Sequence, residues 1–401
     1  MFKKVFVILI LLFFLTGCYD REEIDNITYV IALGIDKGEK DNLKLTMQYF
    51  TINEKSADDV GNEETASIVI EASSIMNAIN IVNNSIDRKV SFSHTKLIVL
   101  SEELARQGNI IRLLKPIQNS REFRPNIYMA VSKDSASDYL KTIEKLNKSN
   151  IARYYRLIFS SYEYSGYYMA STKDDFYYKM CECDVGAVAP YVSINHVKDV
   201  ENIAKQVSKN GNYKAGKIPE KGKEAKAQIM GVAVFNKDKM VGVLNGEEVT
   251  HFLMAIGEFK KSLYTINDPL SPRDIVNVRL NNRARPKIKV SIRNNKPKID
   301  VDIKLVAEYV YFESDVDYNK SRNNARLVNH IENTIKGNIS KVLEKTAKEY
   351  KSDICLFGKH ARKNFLTWKE WEKYGWENKY KDVNFDVNVS VKIKMLGMIK
   401  Q

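Results

Sequence analysis

Cysteine and histidine are scarce in this chain: its 401 residues hold four cysteines and five histidines. Four thiols cannot staple a disulfide-rich scaffold of this size. The histidines (His94, His196, His251, His330 and His360) are scattered, and no two are close enough in sequence to suggest a shared metal. Apolar runs of 18 or more residues are absent, which excludes a polytopic helical membrane protein. The hydrophobic share of 44% is ordinary for a folded protein, so wholesale disorder is excluded as well. At roughly 100–200 residues per domain, the length implies two or three domains.

Catalytic signatures are missing too. H-E-x-x-H, G-x-S-x-G, G-x-G-x-x-G and C-x-x-C do not occur. Residues 211–217 satisfy the G-x-x-x-x-G-K part of a phosphate-binding loop. Ile218 replaces the hydroxyl that would hold Mg²⁺, Pro219 follows, and no strand precedes, so the match is chance. Cys181 and Cys183 are the one close thiol pair. On a strand they would share a face about 6.5 Å apart, too far for an easy disulfide. A metal would need two more ligands, and only His196 is near, so two small buried or reduced thiols are the expectation. Ser93 and His94 are adjacent, an arrangement found more often as a structural pair than a catalytic one. No cofactor is expected, and the chain is not expected to be an enzyme.

The most informative stretch is the start. Lys3 and Lys4 precede an unbroken apolar run over residues 5–15. Eleven residues at 1.5 Å each make roughly 16 Å of helix, about half a hydrocarbon core, which suits the apolar region of a signal peptide. The run ends in Leu15-Thr16-Gly17-Cys18, which resembles a bacterial lipobox. That resemblance implies a diacylglyceryl thioether on Cys18 and cleavage after Gly17, making 1–17 a signal peptide. One acyl chain binds a bilayer marginally and two bind it stably. The expected mature protein is therefore a water-soluble body tethered outside the cytoplasmic face. The net charge of +13 falls to +11 once Lys3 and Lys4 are removed. A lysine excess is most often a solvated surface, with anionic headgroups the second reading. Export argues against nucleic acid as a partner.

Along the mature chain, residues 27–35 and 43–50 predict a hairpin across a turn-rich segment, and residues 51–65 predict a loop. Ile75, Ile79, Val82 and Ile86 mark a helix face; residues 97–100 and 127–131 are short buried strands. Ser101 is placed to cap a helix over 102–107 that Gly108 ends, and Ser135 to Asp138 resembles a capping box. Strands and helices intermix over 18–197, one α+β domain. Residues 154–178 contain ten aromatic residues, either an interface or the domain's own core. Residues 198–226 are lysine-rich and poor in large apolar groups, a linker or long loop. Residues 227–270 form a small middle domain with a hairpin and a helix. In 271–401, strict alternation at 288–292, 299–305 and 383–395 surrounds a helix of about 40 Å over 323–350. This predicts an antiparallel sheet with one covered face. The fold class is α+β: a lipid-anchored chain of three mixed domains, each a largely antiparallel sheet with packed helices.

These residues also carry a resemblance. Cys18-Tyr19-Asp20-Arg21-Glu22-Glu23-Ile24, followed by Ala32-Leu33-Gly34-Ile35-Asp36, resembles the opening of spore germinant receptor C subunits, the GerAC-like family. Tyr19 stands where tryptophan is commoner and Glu22 where arginine is. Ser93-His94 with residues 95–108 is similar to the family's Ser-His block, and Arg121, Arg124 and Pro125 sit where its arginine-containing stretch falls. Residues 231–248 (GVAVFNKDKMVGVLNGEE) resemble its most recognisable internal motif; 353–358 and 368–376 match its C-terminal region. The resemblance implies a non-enzymatic lipoprotein of three α+β domains in the spore inner membrane. It further implies assembly with an integral-membrane A subunit and a B subunit of transporter-like fold. Nutrient detection would then lead to ion and dipicolinate release and germination. Asp36, His94, Arg121, Arg124, Gly231 and Gly246 become positions of structural or partner-binding importance. The rival readings are an extracytoplasmic solute-binding lipoprotein and a cell-surface hydrolase.

Overall fold

Residues 97–100 are Leu-Ile-Val-Leu, and all four are buried. Successive strand side chains leave opposite faces, so such a run needs cover on both sides. The computed structural model describes residue 23 and residues 26–394, except 41, 53–62, 147–149, 183, 198–209, 221 and 223–225. The segment 1–17, Cys18 and Cys183 lie outside the described residues. The first sheet comprises β1 (Ile27–Lys37), β2 (Leu43–Ile52), β3 (Glu63–Ala72), β4 (Lys89–Ser91), β5 (Leu97–Ser101), β6 (Tyr128–Ser132), β7 (Val188–Ile194), β8 (Ala227–Asn236) and β9 (Lys239–Leu244). Their order is β3-β2-β1-β5-β6-β7-β8-β9, with β4 beside the start of β1.

The sheet is mixed. Hairpin-linked β1–β2–β3 and the run β7–β8–β9 are antiparallel. β1, β5, β6 and β7 run parallel at the centre, because helices carry the chain between them. Those helices are α1 (Ile75–Val82), α2 (Glu102–Gln107), α3 (Ile110–Asn119), α4 (Ala136–Leu146), α5 (Ile151–Ser160), α6 (Tyr162–Ser165) and α7 (Lys173–Cys181). Leu97 and Val99 meet Leu140 and Ile143 of α4 and Tyr155 and Phe159 of α5 in one core. Ile98 and Leu100 face a second core with α1, α2, α3 and α7 on the other side. The aromatic segment divides: Tyr155, Phe159, Tyr168 and Phe176 are buried, while Tyr164 and Tyr178 are exposed. Cys181 closes α7 and is exposed, not on a strand.

The second sheet has β10 (Lys261–Asn267), β11 (Ile275–Asn282), β12 (Lys287–Arg293), β13 (Lys296–Phe312) and β14 (Asn384–Ile393). β11 and β12 pair with successive stretches of β13, and β10 pairs with β11, all antiparallel. β14 departs from the expectation: it pairs with β13 in parallel across ten residues. The chain returns from β13 through a 28-residue helix, α9 (Ser321–Lys348), and a helical crossover of that length delivers a parallel neighbour. Leu327, Ile331, Ile335, Ile339 and Val342 of α9 cover Ile299, Val301, Ile303, Val387 and Val391.

Residues 227–270 do not form a sheet of their own among the described residues. β8 and β9 complete the first sheet, β10 edges the second, and α8 (Gly246–Ile256) packs Val249, Phe252 and Leu253 into a core fed by both. The lysine-rich stretch is also more than a linker. Its described residues 210–220 lie against β8: Ala215 is buried and its N–H donates to the Met230 carbonyl at 3.0 Å. Gln228 Oε1 accepts from the Gly216 and Ile218 amides at 2.7 and 3.2 Å. A buried glutamine tied to the loop backbone is invisible to a reading based on lysine and glycine content.

Candidate functional site

The hairpin of residues 231–248 is where the two sheets meet. Gly231 has φ +91°, and a Cβ there would sit 2.4 Å from the Leu244 carbonyl oxygen, so only glycine fits this strand pairing. After β9, Asn245 Oδ1 accepts the Glu248 amide at 2.9 Å and Glu248 Oε2 accepts the Asn245 amide at 2.8 Å. This capping box starts α8. The other Glu248 oxygen takes Lys345 Nζ of α9 at 2.7 Å, tying the hairpin to the second sheet's helix. Gly246 begins α8 where a Cβ would meet Met230 and the Gly211 carbonyl, and its amide donates to Tyr213 O at 2.9 Å.

Beside that ion pair lies a polar cleft of about 310 Å³ lined by α8, α9 and the 210–220 stretch. His251 is buried at its floor, with Nε2 3.0 Å from the Tyr264 hydroxyl; burial pulls its pKa down to about 4. The imidazole is thus neutral near pH 7. Burial, then the neighbouring Glu248 charge, raises Glu247 above the ordinary carboxyl value. Asn338 Nδ2 donates to the same Tyr264 hydroxyl at 3.2 Å. The lining offers amides and both signs of charge, the chemistry of a polar contact surface. Among the described residues, no group of three or more His, Cys, Asp or Glu side chains is placed to hold a metal ion.

A second tie follows the end of α9. Tyr350 Oη donates to Val243 O at 3.1 Å and Ser352 Oγ to Phe235 O at 2.6 Å, both on the β8–β9 hairpin. The Gly186 amide donates to Asp353 O at 2.9 Å, which ties the segment entering β7 to the same place. Asp353 is buried, and its carboxyl accepts the Phe357 and Gly358 amides at 3.1 and 2.6 Å and Trp376 Nε1 at 3.0 Å. These donors belong to α10 (Phe357–Ala361) and to α12 (Trp376–Lys379), which follows α11 (Trp368–Tyr374). Burial outweighs the hydrogen bonds, and the nearby Asp184 charge adds to it, so the Asp353 pKa rises to about 7. Asp184 Oδ2 is itself buried with no hydrogen-bond partner among the described residues. Cys355 is buried, and burial followed by the Asp353 charge pushes its thiol well above the ordinary value.

The remaining positions singled out in the sequence lie in the first sheet or in the turns that lead into its strands. Asp36 ends β1, buried, and accepts the Ala136 and Ser137 amides at 2.6 and 3.0 Å, so it caps α4 from across the fold. Burial raises its pKa against those bonds. His94 is exposed, edge-on to Tyr29 at 4.2 Å, with Ser93 Oγ 3.2 Å from its Nδ1. Partial burial, then the charges of Arg124 and Lys96, lowers its pKa. Arg121 and Arg124 are exposed on the turn before β6 and flank buried Phe123, which stacks on Phe92 at 4.7 Å. The structure therefore brings Gly231 and Gly246 to the junction, and leaves Asp36, His94, Arg121 and Arg124 apart from it.

Two family models match in order along the chain. "Spore germination protein N-terminal domain" covers residues 20–194, and "Spore germination B3/ GerAC like, C-terminal" covers residues 230–397. The chain belongs to the GerAC-like spore germination family. Relatives of this family match it end to end. "Spore germination protein B3" of Bacillus subtilis (strain 168) is 23% identical over 399 residues, spanning 99% of this chain and 98% of that protein. "Spore germination protein GerQC" of Bacillus cereus is 22% identical over 398 residues, spanning 99% of each. The crystal structure of the GerBC protein superposes with a TM-score of 0.55 at 19% identity, covering 90% of this chain and 96% of that one. That likeness establishes a shared fold. The GerAC-like segments of 353–358 and 368–376 acquire a structural meaning from Asp353: its carboxyl gathers the first amides of α10 and the Trp376 indole that opens α12. The Asp-then-Gly spacing at 353 and 358 was a usable signal for this cap. The Asp184 contact had none, since the two aspartates are distant in sequence.

Proposed function

We propose that this chain is the lipoprotein C subunit of a nutrient germinant receptor. In this reading it is held by acylated Cys18 on the extracytoplasmic side of the spore inner membrane, beside integral-membrane A and B subunits. The observation that carries the proposal is the ordered match of both GerAC-like models across residues 20–194 and 230–397. The lipobox-like Leu15-Thr16-Gly17-Cys18 supplies the anchor, and no described helix is long and apolar enough to cross a membrane. A body confined to a thin layer over the bilayer meets membrane partners at a raised effective concentration. Its contribution is assembly or signalling rather than chemistry. The division proposed is a signal peptide at 1–17 and α+β domains at 18–197 and 271–401. Residues 198–226 connect the first of these to the hairpin and helix of 227–270, which join the two sheets.

The test is Cys18→Ala in the sporulating host. The variant should accumulate as a folded protein, leave the membrane fraction, and slow germination on the receptor's nutrient. Normal fractionation with membranes together with normal germination would remove Cys18 as the anchor. The polar cleft beside Glu248 keeps a solute-binding lipoprotein as the second reading. Calorimetry of amino acids against the purified chain separates the two, since a solute-binding protein takes its ligand without any receptor partner.

A further inference from the structure

Four cations line one open cleft, and among the described residues no carboxylate holds any of them. The cleft measures about 500 Å³ and lies between the α6 turn and the β10–β11 end of the second sheet. Lys260 and Lys261 come from the start of β10, and Arg283 and Arg285 from the loop after β11. All four are exposed, and none forms an ion pair among the described residues. Glu163 is the only acidic side chain in the lining, so the cleft carries a net positive charge. Like charges crowded in this way repel one another, and an anion entering the cleft relieves that repulsion.

Two further observations say which anion. Exposed apolar groups flank the cations: Tyr164 in the lining is 64% exposed and Leu263 on β10 is 56% exposed. A soluble anion gains nothing from them, whereas a headgroup region takes up aromatic and aliphatic side chains beside basic ones. The second is position. Ser262 Oγ donates to Ser165 O at 3.2 Å, fastening β10 to α6, and Phe159 of α5 stacks on Tyr128 at 5.2 Å. Tyr128 opens β6 level with Leu97 of β5 and Ala32 of β1, so the cleft borders the edge at which the parallel strands begin. The chain enters β1 at that edge, and the residues between Cys18 and Ile27 span at most about 30 Å when extended. Lys96, before β5, and Arg121 and Arg124, before β6, add charge to the same edge, also without ion pairs among the described residues.

We propose that this edge is the bilayer-facing surface of the body, and that the Lys260, Lys261, Arg283 and Arg285 cleft seats the phosphate of anionic phospholipid headgroups. The proposal rests on the Cys18 anchor described above. It gives the tethered body a fixed orientation, with the opposite edge turned away from the membrane.

The full lipidated chain is reconstituted on vesicles of phosphatidylcholine alone and of phosphatidylcholine with 30% phosphatidylglycerol. Backbone hydrogen exchange is then followed at residues 257–263 and 281–287. Exchange should slow at least threefold on the phosphatidylglycerol vesicles only. The protection should vanish at high salt and in K260E/R285E, whose exposed side chains leave folding intact by circular dichroism. Equal exchange on both vesicles overturns the proposal. Slowing by inorganic phosphate on phosphatidylcholine, without dependence on phosphatidylglycerol, overturns it in favour of a soluble anion. Failure of the anchor itself looks different, because protein would then be lost from both kinds of vesicle.

Discussion

Asp353 makes the stability of the second sheet and its helices depend on pH in a direction opposite to that of most acidic residues. Its carboxyl has an ordinary value of 3.8 and rises to about 7 in the fold, chiefly through burial. Between these two values the unfolded chain has lost the proton and the folded chain retains it. Stability is therefore greatest below the unfolded value and is lost as pH rises through the folded one. At 1.36 kcal/mol per pH unit, the loss amounts to about 4 kcal/mol between pH 4 and pH 8. Asp353→Asn keeps the size and removes the titration, so the stability difference between the native chain and this variant isolates the carboxyl. Urea unfolding followed by tryptophan fluorescence is the assay, because all three tryptophans lie in residues 368–376, beside Asp353. The difference should move against the native chain by about 4 kcal/mol from pH 4 to pH 8. A constant difference across that range would refute the burial argument, and a shift of opposite sign would mean the three N–H donors outweigh desolvation.

Three other perturbations have defined outcomes. Asp36→Ala strips the α4 terminus of a buried acceptor for two amides and should cost about 2 kcal/mol, measured as a fall in the urea midpoint. Tyr350→Phe leaves the buried Val243 carbonyl without its hydroxyl donor and should cost about 1 kcal/mol with little change in structure by circular dichroism. Gly231→Ala places a methyl on the Leu244 carbonyl at a left-handed backbone position and should cost about 3 kcal/mol or prevent accumulation of folded protein; a thermal scan distinguishes these.

Much of the architecture was legible because the residues alternate or repeat at helical spacing. The α9 stripe, the Asn294–Asn295 turn between β12 and β13, and the buried runs of β1 and β5 emerged where periodicity placed them. Pairing direction was not legible for β14, since its alternation is the same whether its neighbour runs up or down. Nor did composition reveal that residues 210–220 lie down on β8, because they are held through their backbone, by the Gln228 side chain and by the Met230 carbonyl. At the junction, Asn245-Gly246-Glu247-Glu248 carries the capping pattern openly, yet the partner Lys345 is 97 residues away and has no local signature. Asp36 was marked by resemblance alone. Its role as a cap became visible only when β1 was laid against the first turn of α4.

The 17-residue strand β13 carries β11 and β12 along one side and β14 along the other. Since β14 occupies residues 384–393, its flank of that spine stays bare until the chain has been made through residue 393. A prematurely ended translation product would present a long row of unsatisfied amides and carbonyls, an invitation to pair with any extended neighbour. Docking of β14 therefore closes the spine and removes that hazard in a single step.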